Sequence, residues 1–149
     1  MSTSERQRSG LWGRVVDVSL SLWSAPAWVR IWVFVFLVPV NFWAVGVWLV
    51  MGHPLPAWLS LAWLFVVIIN CWIALTERGV SKITSATHLI VWLPGWAYAI
   101  WWLMEGTLSG HLLVFAWAYA VIIGICNLFD LYDTFRWIRG ERDVLGKEA

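Results

Sequence analysis

Residues 31–52 read IWVFVFLVPVNFWAVGVWLVMG, twenty-two positions without one Lys, Arg, Asp or Glu. A helix rises about 1.5 Å per residue, so this run covers about 30 Å, the thickness of a bilayer's hydrocarbon core. It predicts a transmembrane helix. Three further runs of the same kind follow at 57–76, 83–104 and 111–132, none with an ionisable residue near its middle. The expected fold is an all-α membrane protein: four transmembrane helices arranged as two tandem helical hairpins.

The rest of the chain fits that frame. Of its 149 residues 61% are hydrophobic and 13% charged, where a soluble domain carries about a quarter charged. A net charge of +1 argues against nucleic acid as the main partner. Cys71 and Cys126 lie within apolar runs and form no CxxC pair, so no redox or zinc motif is present. Residues 1–10 form a polar tail without the pattern of a removable signal peptide. Residues 11–24 form a separate helix, and 25–149 the transmembrane domain with a short C-terminal tail.

Orientation follows from the basic residues. Arg6, Arg8, Arg14 and Arg30 precede the first run, Arg78 and Lys82 separate the second from the third, and Arg136, Arg139, Arg142 and Lys147 follow the fourth. Residues 51–56 and 105–110 contain no Lys or Arg. The positive-inside bias therefore predicts both termini in the cytoplasm, in a multi-pass cell-membrane protein of the bacterial inner-membrane type. Before the first run, Arg14, Asp17, Ser21 and Ser24 recur at helical spacing amid Leu11, Trp12, Val15, Val16, Leu22 and Trp23. That pattern predicts an amphipathic helix lying in the membrane interface with its apolar side in the lipid.

Shifted by 54 residues, the chain partly repeats itself. Trp48-Leu49 meets Trp102-Leu103, Gly52 meets Gly106, Leu59 meets Leu113, Ala62-Trp63 meets Ala116-Trp117, and Val67-Ile68-Ile69 meets Val121-Ile122-Ile123: nine identities in twenty-two positions. Two hairpins related by a pseudo-twofold axis along the membrane normal would result. Pro39 and Pro94 fall near the middle of the first and third runs, where each removes a backbone donor and frees a carbonyl one turn earlier, at Val35 and Ile90.

Several residues are candidates for function. Asn41, Asn70 and Asn127 are amides in apolar runs and should face the bundle interior. Ala116, Ala120 and Gly124 form a small-residue stripe suited to close helix packing. Asn127, Asp130, Asp133 and Arg136 form a cluster at the basic end, expected as a collar of ion pairs. His88 finds no histidine at its own depth; His53 and His111 share the opposite end, where a metal or haem pair is a minor alternative. Fifteen tryptophans exceed what interfacial belts require. Trp43, Trp63, Trp96 and Trp117 are expected to converge with Asn41 and Asn70 on a site for a flat hydrophobic or cationic molecule.

These features point to a small binding or transport protein with a Trp-lined site. The alternative is a non-catalytic subunit or assembly factor of a larger membrane complex. A membrane-embedded enzyme ranks last, since no catalytic set or metal site emerges and no motif identifies a cofactor. The expected partners are the lipid bilayer and further copies of this chain or other membrane subunits.

Overall fold

A computed structural model describes residues 10–146, and among these there is no strand. Five helical segments follow in order: α1 (Leu11–Ser24), α2 (Ala27–Met51), α3 (Pro54–Glu77), α4 (Ile83–Glu105) and α5 (Gly110–Ile138). The loops between α2 and α5 are short, so successive helices run antiparallel, as in an up-and-down bundle. Packing is tightest between α4 and α5, substantial along α2–α3 and α3–α4, and thin where α2 closes the ring against α5. Of the three connections between α2 and α5, only residues 78–82 carry Lys or Arg, and that turn, α1 and the C-terminal tail share one basic end.

Local chemistry sets the helix ends. Gly52 and Gly106 terminate α2 and α4 in the left-handed conformation, φ 63° and 67°, which glycine adopts without steric cost. His53 caps α3, its Nδ1 accepting from the Leu55 N–H at 3.2 Å, and Pro54 occupies the first turn, where a missing donor costs nothing. In α2 the stretch Trp32–Leu37 is π-helical, and the α-helix resumes at Val38, just before Pro39. The wider turn lets the chain pass the proline ring without a break.

The bundle is apolar both inside and out. Leu55, Leu59, Phe115, Tyr119 and Ile123 are fully buried, while large side chains such as Phe42, Leu49, Ile68, Trp72 and Leu128 lie exposed. Exposed apolar area of this extent is the mark of a surface that meets a membrane or partner proteins. Three helices, α2, α3 and α5, are long and apolar enough to cross a membrane, with mean hydropathy 2.2, 2.2 and 2.3. The fourth expected run, α4, is a 23-residue helix but is not among them. Its four indoles, Tyr98, His88 and Pro94 dilute the aliphatic content, although Trp and Tyr are at home near membrane interfaces.

The amphipathic helix turns its polar stripe toward the protein. Ser21 is 4% exposed and Trp23 63%. Ser21 Oγ donates to the Leu145 carbonyl at 2.7 Å and accepts from the Val80 N–H at 2.9 Å. Leu145 N–H donates in turn to the Val80 carbonyl at 2.8 Å, and Asp17 pairs with Arg78 at 3.5 Å. Helix α1, the 78–82 turn and the tail are thus tied into one knot at the basic end. Gly79 is required there, because an added Cβ would lie 2.3 Å from Val144 Cγ1.

Candidate functional site

The thin α2–α5 seam opens, at the basic end, into a cavity of about 650 Å³. Its walls are mostly apolar. The start of α2 contributes Trp28, Trp32 and Leu37; the end of α5 contributes Cys126, Phe129, Asp130, Tyr132, Asp133 and Arg136. Lys82, Thr84, Ser85 and His88 enter from the start of α4, and Asp143 and Leu145 from the tail. Phe129 packs against Trp28 and Trp32 with ring centroids 5.6 and 6.4 Å apart, which holds the aromatic side of the cavity in place.

The inner wall is a chain of polar groups. Asp130 is 5% exposed, and its Oδ1 lies 3.1 Å from His88 Nδ1. The other imidazole nitrogen lies 2.5 Å from Asn70 Nδ2, and Asn70 Oδ1 accepts from the Thr87 hydroxyl. Cys126 donates its thiol proton to Asp130 Oδ2 at 3.6 Å. The His88 ring stacks on Trp92 at 4.2 Å and 15°, which fixes its plane. Three helices thus meet at one depth: Asn70 on α3, His88 on α4 and Asp130 on α5.

The mouth is charged unevenly. Asp133 and Asp143 line it, with Asp130 behind them, against Lys82 and Arg136. Both cations are engaged by Glu141, whose Oε2 accepts from Arg136 Nη2 at 2.5 Å and from Lys82 Nζ at 3.2 Å. Those bonds, the Arg136 bond first, hold the Glu141 carboxyl below its ordinary value of 4.5. Asp133 lies 3.9 Å from Arg136, at the limit of an ion pair. The lining carboxylates therefore outnumber the cations left to neutralise them.

The expected residues are dispersed rather than gathered. Asn41 is 0% exposed and donates from Nδ2 to the Leu37 carbonyl at 2.7 Å, within its own helix and not to Val35. Trp43 donates to His111 Nε2 at 2.9 Å, near the far end of the bundle. Trp63 packs edge-on against Phe42, and Trp96 donates to the Ala120 carbonyl at 2.8 Å. Trp117 is 56% exposed. None of the four indoles lines the cavity, and Trp63 and Trp117 occupy unlike settings. The cause is rotational: the inward stripe of α5 runs through Leu112, Phe115, Ala116, Tyr119 and Ile123, and position 117 falls outside it.

Ala116 and Ala120 are buried, and an added Cβ at Gly124 would lie 2.9 Å from Trp96 Nε1. The stripe of small residues on α5 thus receives the Trp96 indole from α4. At the basic end, Asp133 approaches Arg136, Asp130 turns to His88 instead, and Asn127 is buried with neither amide atom bonded. The His88–Asn70–Asp130 junction went unpredicted. Its signal was depth: Asn70 lies seven residues before the end of α3, His88 five after the start of α4, and Asp130 eight before the end of α5.

No family model, curated protein or solved structure matches the chain.

Proposed function

We propose that this chain is a four-span membrane protein that binds a small hydrophobic cation in the cavity at its basic end, as a binding or transport protein. The observation that carries the proposal is the cavity itself: about 650 Å³, walled by Trp28, Trp32, Phe129 and Tyr132, with Asp130 set into it. Aromatic faces attract a cation through their quadrupoles, and a carboxylate in a poorly solvated wall attracts it strongly. The apolar walls suit the body of such a ligand. In this reading α4 spans alongside α2, α3 and α5, because its 23 residues match theirs in reach and it packs between α3 and α5. The basic end then faces the cytoplasm by the positive-inside bias.

Tetraphenylphosphonium is the probe. Added to the protein in mild detergent, it should quench part of the tryptophan fluorescence saturably. Asp130→Asn should weaken binding by about tenfold or more, as loss of one charge-assisted contact would. Trp117→Phe should leave the affinity unchanged. Quenching that never saturates overturns the ligand reading and favours a non-catalytic subunit, which a native mass would reveal through co-purifying chains.

A further inference from the structure

Thr87 carries one hydroxyl proton but faces two oxygen acceptors, the Thr84 carbonyl at 2.7 Å and Asn70 Oδ1. The Asn70 amide between Thr87 and His88 resolves this conflict in one of two ways. In the orientation shown, Nδ2 donates to an unprotonated His88 Nε2, His88 keeps its single proton on Nδ1 toward Asp130, and Thr87 divides its proton between two oxygens. A side-chain amide turned over occupies the same space. Nδ2 then donates to the Thr87 hydroxyl oxygen, Thr87 donates to Thr84 alone, and Oδ1 accepts from a protonated His88 Nε2. Every donor now has its own acceptor. His88 has become an imidazolium beside the Asp130 carboxylate.

The same four side chains therefore house an imidazole with one proton or with two, and His88 and Asp130 both line the cavity. With one proton on the ring the pair carries a charge of −1; with two it is neutral. We propose that the His88–Asp130 pair is a proton-binding site whose proton is exchanged for the cationic ligand. The cation enters, the proton that Nε2 carried is released to water, the Asn70 amide turns, and the charge of the site is unchanged. No bond other than N–H breaks. The inference rests on the ligand assignment above.

Other groups around the cavity do not offer this device. Asp133 and Arg136 on α5, Lys82 at the head of α4 and Asp143 on the tail stand at the mouth, and the Cys126 thiol already donates to Asp130. From α3 the pair meets only the uncharged Asn70, and α2 lines the cavity with apolar and aromatic side chains alone. Among the described residues, only this imidazole is backed by an amide that serves both of its protonation states.

The experiment measures tetraphenylphosphonium affinity for the full chain in detergent between about pH 5 and 8. Exchange of one proton makes the affinity rise about tenfold per pH unit while the ring is doubly protonated, then level off. Binding in weakly buffered solution should release about one proton per cation over the same range. His88→Gln should flatten the pH profile. Asn70→Ala, which removes the partner of Nε2, should displace the profile along the pH axis, an effect that loss of packing alone would not produce. Wild-type binding that is independent of pH and releases no proton overturns the exchange while leaving the cation site standing. No saturable binding at any pH overturns both.

Discussion

Gly124→Ala probes the closest approach between α4 and α5. The new Cβ would lie 2.9 Å from Trp96 Nε1, 3.5 Å from Cε2 and 3.7 Å from Cδ1. The first distance is shorter than real Cβ atoms tolerate, so the indole must move. Moving it breaks the 2.8 Å bond from Nε1 to the Ala120 carbonyl. Overpacking of this kind costs about 1–3 kcal/mol, and loss of the hydrogen bond adds about 0.5–1.5 kcal/mol. Against this, alanine favours the helix over glycine by up to about 1 kcal/mol. The expected result is a net destabilisation of about 1–3 kcal/mol. The assay is reversible unfolding in mixed micelles, repeated in a Trp96→Phe background. Phenylalanine has no Nε1 and a smaller ring, so the cost of Gly124→Ala should shrink by about 1 kcal/mol or more in the double mutant. The Ala120 carbonyl retains its backbone partner within α5, so the cycle isolates the indole. Equal costs in both backgrounds, or no cost in either, would refute the account of the stripe as a seat for Trp96.

Two further outcomes follow from the basic end. Reporters fused after Ala149 or within residues 79–81 should be cytoplasmic and those at His53 or Gly106 external; a cytoplasmic signal from either outer loop would sink the four-span arrangement. The Glu141 carboxyl, held below its ordinary value by Arg136 and Lys82, should contribute stability above about pH 4.5 and lose it as pH falls through the lowered value. Glu141→Gln should therefore lower the melting temperature at neutral pH and have no effect once the wild-type carboxyl is protonated; an equal effect at both pH values would mean that charge is not the cause.

Sequence carried the depth of each residue but not its rotation about the helix. The runs at 31–52, 57–76 and 111–132 correspond to α2, α3 and α5, because length and apolar content are one-dimensional properties. The polar stripe of α1 was legible for a similar reason: Asp17, Ser21 and Ser24 share a face at helical spacing whatever they contact. What they contact, the 78–82 turn and the tail, required the fold. Tryptophan count misled, since an indole in a membrane helix is as useful at the lipid surface, as at Trp117, as inside.

The cavity escaped because its walls come from segments far apart in sequence. On α2 its lining residues Val29, Val33 and Leu37 recur every four residues, and in a run that is apolar throughout such a stripe cannot be told from one that faces lipid. Asn41 continues the same spacing and is buried where it bonds the Leu37 carbonyl, so its burial marks the inward face of α2 rather than a site. The polar junction on the far wall escaped for the complementary reason. Asn70, His88 and Asp130 each look like a solitary polar residue near a helix end, and only the order of packing, α3 against α4 against α5, turns three similar depths into one hydrogen-bonded chain.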